Sequence, residues 1–394
     1  MRNLLLIVSV ILLSIIGGCK PPSDSMPDLL NRADKLLTRD SLDSAFKLID
    51  SAYKLDSLNV NVLALKSQYY TKSGRYDKAK YYVERGLSID NMSSACWYAQ
   101  GLMYLYKENE DVTYLLEARG CFEQAIALDS KNYKAFSDLG YYYIEKDKLD
   151  SALIFLMKSY KIDSTYIDAL ANIGYIYFNK EKYDKSIEFF KRALDLDDAL
   201  PSVLNGYAKC LTQLGKYEES NRTYNEILNG TSKIDDRAVL YTNMGRNFIK
   251  LALWTRALNF LNKALEADTS YKEAYIAQTE VLYNIGRHKD AMECIDKLIK
   301  MYPLYFQGYM QKGACYRYMK SYDESLKMLK KAQELAKGLE ANYTLNMELG
   351  RTYEALKKYD TAYKYYQQAV SATNSVLESD LATARIGILL GKVK

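Results

Sequence analysis

Apolar residues along this chain follow two regimes. Behind the short positive start Met1-Arg2-Asn3, Leu4 to Ile16 forms an unbroken apolar run of 13 residues. From about residue 26 onward the apolar and polar positions instead return with a period of 34 residues. The same phrases recur: Gly74-Arg75-Tyr76-Asp77-Lys78-Ala79, Lys182-Tyr183-Asp184-Lys185-Ser186, Gly215-Lys216-Tyr217-Glu218-Glu219-Ser220 and Lys358-Tyr359-Asp360-Thr361-Ala362. So do short tails such as Leu55-Asp56-Ser57, Ile89-Asp90-Asn91 and Leu128-Asp129-Ser130. Ten repeats follow, starting at Met26, Val60, Ser94, Tyr133, Ile167, Pro201, Ala238, Lys272, Phe306 and Tyr343. Seven span 34 residues; the one from Ser94 carries five more, and those from Pro201 and Phe306 three more each.

Within each repeat the pattern predicts two antiparallel helices. Helices approach to about 8–10 Å only where small side chains occupy the crossing. The eighth residue of each repeat meets that need: Ala33, Ser67, Gly101, Gly140, Gly174, Ala208, Gly245, Thr279, Gly313 and Gly350. Its counterpart on the second helix is Ala45, Ala79, Ala118, Ala152, Ser186, Ser220, Ala257, Ala291, Ser325 and Ala362. Large residues interlock around these points. Tyr70, Tyr104, Tyr143, Tyr177, Tyr316 and Tyr353 fall one turn after the first small site, and Tyr76, Tyr183, Tyr217, Trp254, Tyr322 and Tyr359 open second helices. Gly74, Gly215 and Gly286 are predicted helix ends, while Pro201 and Pro303 fall at repeat junctions, where a missing N–H costs least. After the tenth repeat, Leu377, Leu381, Ala384 and Ile388 recur at helical spacing and predict a final helix. An open stack of helix pairs needs such a cap.

This register resembles the tetratricopeptide repeat over residues 26–376. The resemblance implies an all-α fold: a right-handed superhelical solenoid of about ten helix-turn-helix units, closed by a capping helix over residues 377–394. It also implies a concave face lined by first helices, with residues two, five, six, nine and twelve of each turned into the groove. Those positions include Leu102 and Leu105, and further on Arg317, Arg351, Glu348 and Glu354. For a bound partner segment, Tyr98, Tyr141 and Tyr175 are candidate aromatic anchors. Asn172, Asn205 and Asn243 are candidate hydrogen-bonding groups for its backbone. Lys209 and Arg246 are suited to an acidic or carboxylate group. The two-carboxylate clamp of the chaperone-binding members is not reproduced.

The N-terminal apolar run is shorter than the roughly 20 residues a membrane-crossing helix needs, and it has the layout of a secretory signal. It ends in Ile16-Gly17-Gly18-Cys19, which resembles the lipobox of bacterial lipoproteins. That likeness implies a signal peptide over residues 1–18, acylation of Cys19 with palmitate-type chains, and a lipidated tether over residues 19–25. Each buried CH₂ contributes about 0.8 kcal/mol, so several chains on one residue anchor a soluble domain. Lys20 stands where that family places an Asp for retention at the inner membrane, which favours the outer membrane.

Composition narrows the remaining options. With 48% hydrophobic residues and 54 Lys+Arg against 49 Asp+Glu, the chain is globular. A formal charge of +5 is too mild to announce a nucleic-acid binder. One histidine, His288, excludes a multi-His metal site. Cys96, Cys121, Cys210, Cys294 and Cys315 show no CxxC spacing and read as buried small hydrophobes. No GxGxxG, Walker, GxSxG or HExxH motif occurs. The expectation is therefore not an enzyme and not a cofactor protein. It is a lipid-anchored scaffold of the bacterial cell envelope that grips a protein or peptide in its groove, in a secretion, pilotin-like or envelope-assembly role. The alternative is a glycan-binding outer-membrane lipoprotein that uses a face rich in the chain's 38 tyrosines.

Overall fold

A computed structural model describes residues 25–107, 113–230, 236–336, 339–373 and 376–393. The expected signal peptide, Cys19 and most of the tether lie outside the described residues. Among these the chain forms 21 helices and no strand. It divides into two compact units, residues 1–198 and 199–394.

In the N-terminal unit the helices pair as α1 (Met26–Thr38) with α2 (Leu42–Leu55), α3 (Val60–Lys72) with α4 (Tyr76–Ile89), and α5 (Ser94–Tyr106) with α6 (Thr113–Leu128). Then come α7 (Tyr133–Glu145) with α8 (Leu149–Ile162) and α9 (Ile167–Asn179) with α10 (Tyr183–Leu194). The C-terminal unit continues with α11 (Pro201–Gln213) and α12 (Tyr217–Gly230), α13 (Arg237–Lys250) and α14 (Trp254–Ala267), and α15 (Lys272–Asn284) and α16 (His288–Met301). It ends with α17 (Phe306–Tyr318) and α18 (Tyr322–Leu335), α19 (Leu339–Ala355) and α20 (Tyr359–Ser371), and a last helix α21 (Val376–Val393).

The crossings form as the small residues dictate. All ten second-helix small residues, from Ala45 to Ala362, are fully buried. Where the first helix offers glycine, a large side chain fills the space. A Cβ on Gly140 would stand 2.6 Å from Leu156 Cγ, one on Gly174 2.7 Å from the Phe190 ring, and one on Gly313 2.7 Å from Leu329 Cγ. Serines at the second-helix site also tie the pair together. Ser186 Oγ donates to the Gly174 carbonyl at 2.6 Å, Ser220 Oγ to that of Ala208 at 2.9 Å, and Ser325 Oγ to that of Gly313 at 2.7 Å. The tyrosines one turn further along stack on a ring of the partner helix. Tyr70 on Tyr82, Tyr143 on Phe155 and Tyr353 on Tyr365 lie within 7° of parallel.

Among the described residues, nine turns inside repeats pass through one left-handed residue. Glycine supplies it at Gly74, Gly215 and Gly286, but Asp40, Asp147, Glu181, Ala252, Lys320 and Lys357 take the same conformation, with φ from 52° to 61°. The reward is a closed helix end: at the first such glycine, Gly74 N donates to Thr71 O and Arg75 N to Tyr70 O.

Two details depart from the sequence pattern. Helix α19 starts at Leu339, four residues ahead of the expected Tyr343, so much of the preceding three-residue insertion is absorbed as an extra helical turn. The packed face of α21 is also not the expected stripe. Leu381 and Ile388 remain 55% and 50% exposed, and Ala384 is exposed with them, whereas Ala382 and Leu389 are buried. The small Ala382 lets α21 approach Tyr366 and Ala369 of the last repeat, and Leu389, two turns on, closes that contact. The side chain of Leu377 lies outside the described residues.

Candidate functional site

In the N-terminal unit the first helices of repeats one to four, with the loop ahead of α7, line an open cavity of about 360 Å³. Its polar lining includes Asn31, Asp34, Asn61, Gln68 and Lys134, together with Tyr98. The helices curl tightly enough for α7 to meet α1: Lys134 Nζ lies 2.5 Å from Asp34 Oδ1 across 100 residues of sequence. This curvature changes the part played by the expected anchors. Tyr98 is only 6% exposed and packs beside Phe122, with Leu102 and Leu105 buried in the same cluster, so it offers no open shelf. Tyr141 packs partly against that cluster. Tyr175 is open, at 48% exposure, and Asn172 is half-buried.

The same face holds a perturbed carboxyl. Asp138 keeps intermediate exposure as a residue, but its Oδ2 is sealed and has no hydrogen-bond partner. Burial pushes its pKa up to about 7, and Asp168 adds to the rise; the Tyr98 hydroxyl, Lys134 and Lys72 pull it back down. Burial likewise lifts the Tyr98 and Tyr166 hydroxyls well above the ordinary phenol range.

The C-terminal unit carries the other four expected residues. Lys209 on α11 and Arg246 on α13 are exposed, and Asn205 and Asn243 are half-buried. Asn205 Oδ1 is sealed from solvent without a hydrogen-bond partner. Asn243 is within hydrogen-bonding reach of the Tyr224 hydroxyl, whose pKa burial lifts to about 12. One turn beyond Asn243, Asn247 is buried in a polar network between repeats six and seven. Its Nδ2 donates to Asn221 Oδ1 at 2.8 Å and to Ser220 Oγ at 3.0 Å, and its Oδ1 accepts from Thr212 Oγ1 at 3.0 Å. On repeat eight, burial raises the Glu280 carboxyl, and Lys250 and Arg246 draw it back. Sequence reasoning missed Asn31, Asp34, Asn61, Gln68, Lys134 and Glu280, although all six stand at positions two, six or nine of their repeats. The positional rule was legible. Which repeats curl around a common space was not.

Comparison with known proteins settles the family. Two tetratricopeptide-repeat family profiles match, one over residues 167–198 and the other over 60–91, 133–166, 306–338 and 343–375. The chain is built of tetratricopeptide repeats. A mouse protein, tetratricopeptide repeat protein 12, is 33% identical over 89 residues, or 23% of this chain. Hsp70-Hsp90 organizing protein 2 of Arabidopsis thaliana is 22% identical over 139 residues, or 34% of this chain. The matches span 12% and 24% of those two relatives. Among solved structures, a tetratricopeptide repeat protein from Parabacteroides merdae superposes with a TM-score of 0.58 at 17% identity, over 66% of this chain and 98% of that one. This likeness establishes the all-α repeat fold.

None of the five cysteines of the repeats forms a disulfide, and all five are buried. Burial lifts the thiols of Cys121 and Cys315 to about 12 and that of Cys294 to about 11, which keeps them protonated and unreactive at neutral pH. His288 is exposed and rests against the Tyr283 ring. Among the described residues no group of three or more His, Cys, Asp or Glu side chains is arranged to hold a metal ion, and no helix is long and apolar enough to cross a membrane.

Proposed function

We propose that this tetratricopeptide-repeat chain is a lipid-anchored scaffold of the bacterial cell envelope that grips a segment of a partner protein on its concave first helices. Stacked repeats of this kind serve as protein–protein interaction scaffolds through such concave surfaces. The observation that carries the reading for this chain is the face around Asn205. A sealed acceptor without a partner stands on a helix that also presents the exposed Lys209, and Asn243 and Arg246 occupy inward-facing positions of the next repeat. The two exposed cations suit a carboxylate of the partner, and the half-buried amides beside them can hydrogen-bond its backbone. Replacing Asn205, Lys209, Asn243 and Arg246 together by Ala should abolish partner capture from envelope extracts while leaving the chain folded, as read by its helical circular dichroism. Undiminished capture by that variant would refute this assignment.

The anchor rests on Ile16-Gly17-Gly18-Cys19. Cys19→Ser should eliminate metabolic labelling with palmitate and release the chain from the outer-membrane fraction. Retention of both label and membrane association would count against Cys19 as the acylated residue. The sugar-binding alternative has weaker support, because most tyrosines are used in packing. Among the described residues the exposed ones are Tyr81, Tyr106, Tyr175 and Tyr318.

A further inference from the structure

The C-terminal unit contains a ladder of charge. Arg317, Arg351 and Arg385 follow one another at 34 residues, on the successive helices α17, α19 and α21. Glu348 and Glu354 alternate with them. Glu348 Oε2 accepts from Arg317 Nη2 at 2.9 Å and from its Nε at 3.2 Å, while Glu348 Oε1 accepts from Arg351 Nη1 at 2.5 Å. Glu354 Oε2 accepts from the Tyr366 hydroxyl at 2.8 Å. Arg385 Nε lies 3.1 Å from the same oxygen as an ion pair, and the Tyr366 hydroxyl is also within hydrogen-bonding reach of the Arg385 guanidinium.

These arginines differ in how firmly they are held. Arg317 and Glu348 expose only 13% and 10% of their side chains, and the Arg317 guanidinium lies 4.2 Å above the Tyr318 ring. Arg351 and Arg385 each remain 42% exposed. Among the described residues three guanidiniums thus face two carboxylates, leaving one positive charge unmatched and N–H donors of Arg351 and Arg385 turned to solvent. All three arginines line a cavity of about 600 Å³, within the range of about 300–1,000 Å³ typical of ligand sites. Leu381 and Ile388, the half-exposed residues of the α21 stripe that the fold leaves uncovered, line the same cavity.

We propose that this cavity is a docking site for an acidic, leucine-rich peptide segment of a partner protein. The unmatched charge calls for an anion, and Arg351 and Arg385 are positioned to receive its carboxylates. A small free anion would leave Leu381 and Ile388 in water, whereas leucine side chains beside the acidic groups cover them. The two carboxylates of the ladder hold the arginines in place before the partner arrives, which lowers the ordering cost of binding. The inference rests on the reading of this chain as a protein scaffold, but it uses residues separate from Asn205, Lys209, Asn243 and Arg246.

The test uses the full chain and a fluorescein-labelled synthetic peptide of leucine and glutamate residues, followed by fluorescence anisotropy at two salt concentrations. Wild type should bind it saturably, and more weakly at the higher salt. A peptide with glutamine for every glutamate should bind at least about tenfold more weakly, as should the double variant Arg351→Gln/Arg385→Gln. Leu381→Ser/Ile388→Ser, at positions too exposed to unfold the chain, should weaken binding by a similar factor. The proposal fails if wild type shows no saturable binding, if the glutamine peptide binds equally well, or if both double variants retain wild-type affinity. It also fails if decanoate or inorganic phosphate binds with the same dependence on Arg351 and Arg385 while the peptide does not. Capture of an envelope partner lost through the Asn205 face alone, with no binding of the synthetic peptide, overturns this site and leaves the scaffold reading standing.

Discussion

At the scale of the residue, the size of one side chain decides each helix crossing. Gly350 and Gly120 are both helical glycines, yet substitution should have opposite effects. A Cβ on Gly350 would stand 2.5 Å from Tyr366 Cε1, and the hydrogen bond from the Tyr366 hydroxyl to Glu354 restrains that ring from moving away. A Cβ on Gly120 would meet nothing within 4 Å. Gly120→Ala should therefore stabilise the chain by up to about 1 kcal/mol through helix propensity. Gly350→Ala should destabilise it by about 1–3 kcal/mol from overpacking. Urea denaturation of both variants checks the pair, and equal signs would contradict this account of the crossing. The left-handed turn residue is governed differently, since six of the nine such positions among the described residues are not glycine. There the geometry is imposed by the helix end, and only three of the nine announce themselves in the sequence.

At the scale of the element, the asparagines of the C-terminal unit divide into two populations. Asn205 and Asn243 lie on the inward-facing positions, as the repeat register implies. Asn247, one turn past Asn243, is buried, and with Asn221, Ser220 and Thr212 it joins α13 to α11 and α12. Removing one member of a buried hydrogen-bond network leaves the groups it bonded without partners, which costs about 1–3 kcal/mol. Asn247→Ala should therefore lower unfolding stability by that amount, and the combination with Asn221→Ala should cost less than the sum of the two single changes. Strict additivity in a double-mutant cycle would refute the coupling. The polar character of these positions was legible in the sequence. Which asparagines stay half-buried and which hold the repeats together depends on a shift of about one turn along the helix, and only the packing of neighbouring helices sets it.

At the scale of the molecule, the curvature of the N-terminal unit has electrostatic consequences. Asp138 releases its proton near pH 3.8 when unfolded but near pH 7 in the folded chain, because burial disfavours its charge. Between those values the folded state binds more protons, so this group's contribution to stability falls as pH rises from about 4 to about 7. Asp138→Asn should flatten that slope, most visibly as a smaller loss of melting temperature across the window. An unchanged slope in the variant would show that the carboxyl is not sealed as described.

The sequence by itself determined the repeat, its register and its crossings. Each of these is a short-range constraint, such as a small residue facing a second small residue 12 positions on, or a ring stacking on another at the same spacing, and the chain states it many times over. Curvature, and what it encloses, was decided only by the tertiary structure. The meeting of Asp34 with Lys134, the burial of Tyr98 and the sealing of Asp138 all arise from small rotations between successive repeats, which accumulate over several helices and are written in no single one. The last helix teaches the same point. Two stripes of α21 were available for packing, and the small Ala382 against Tyr366 and Ala369 decided that Leu381 and Ile388 would stay outside, beside the arginines.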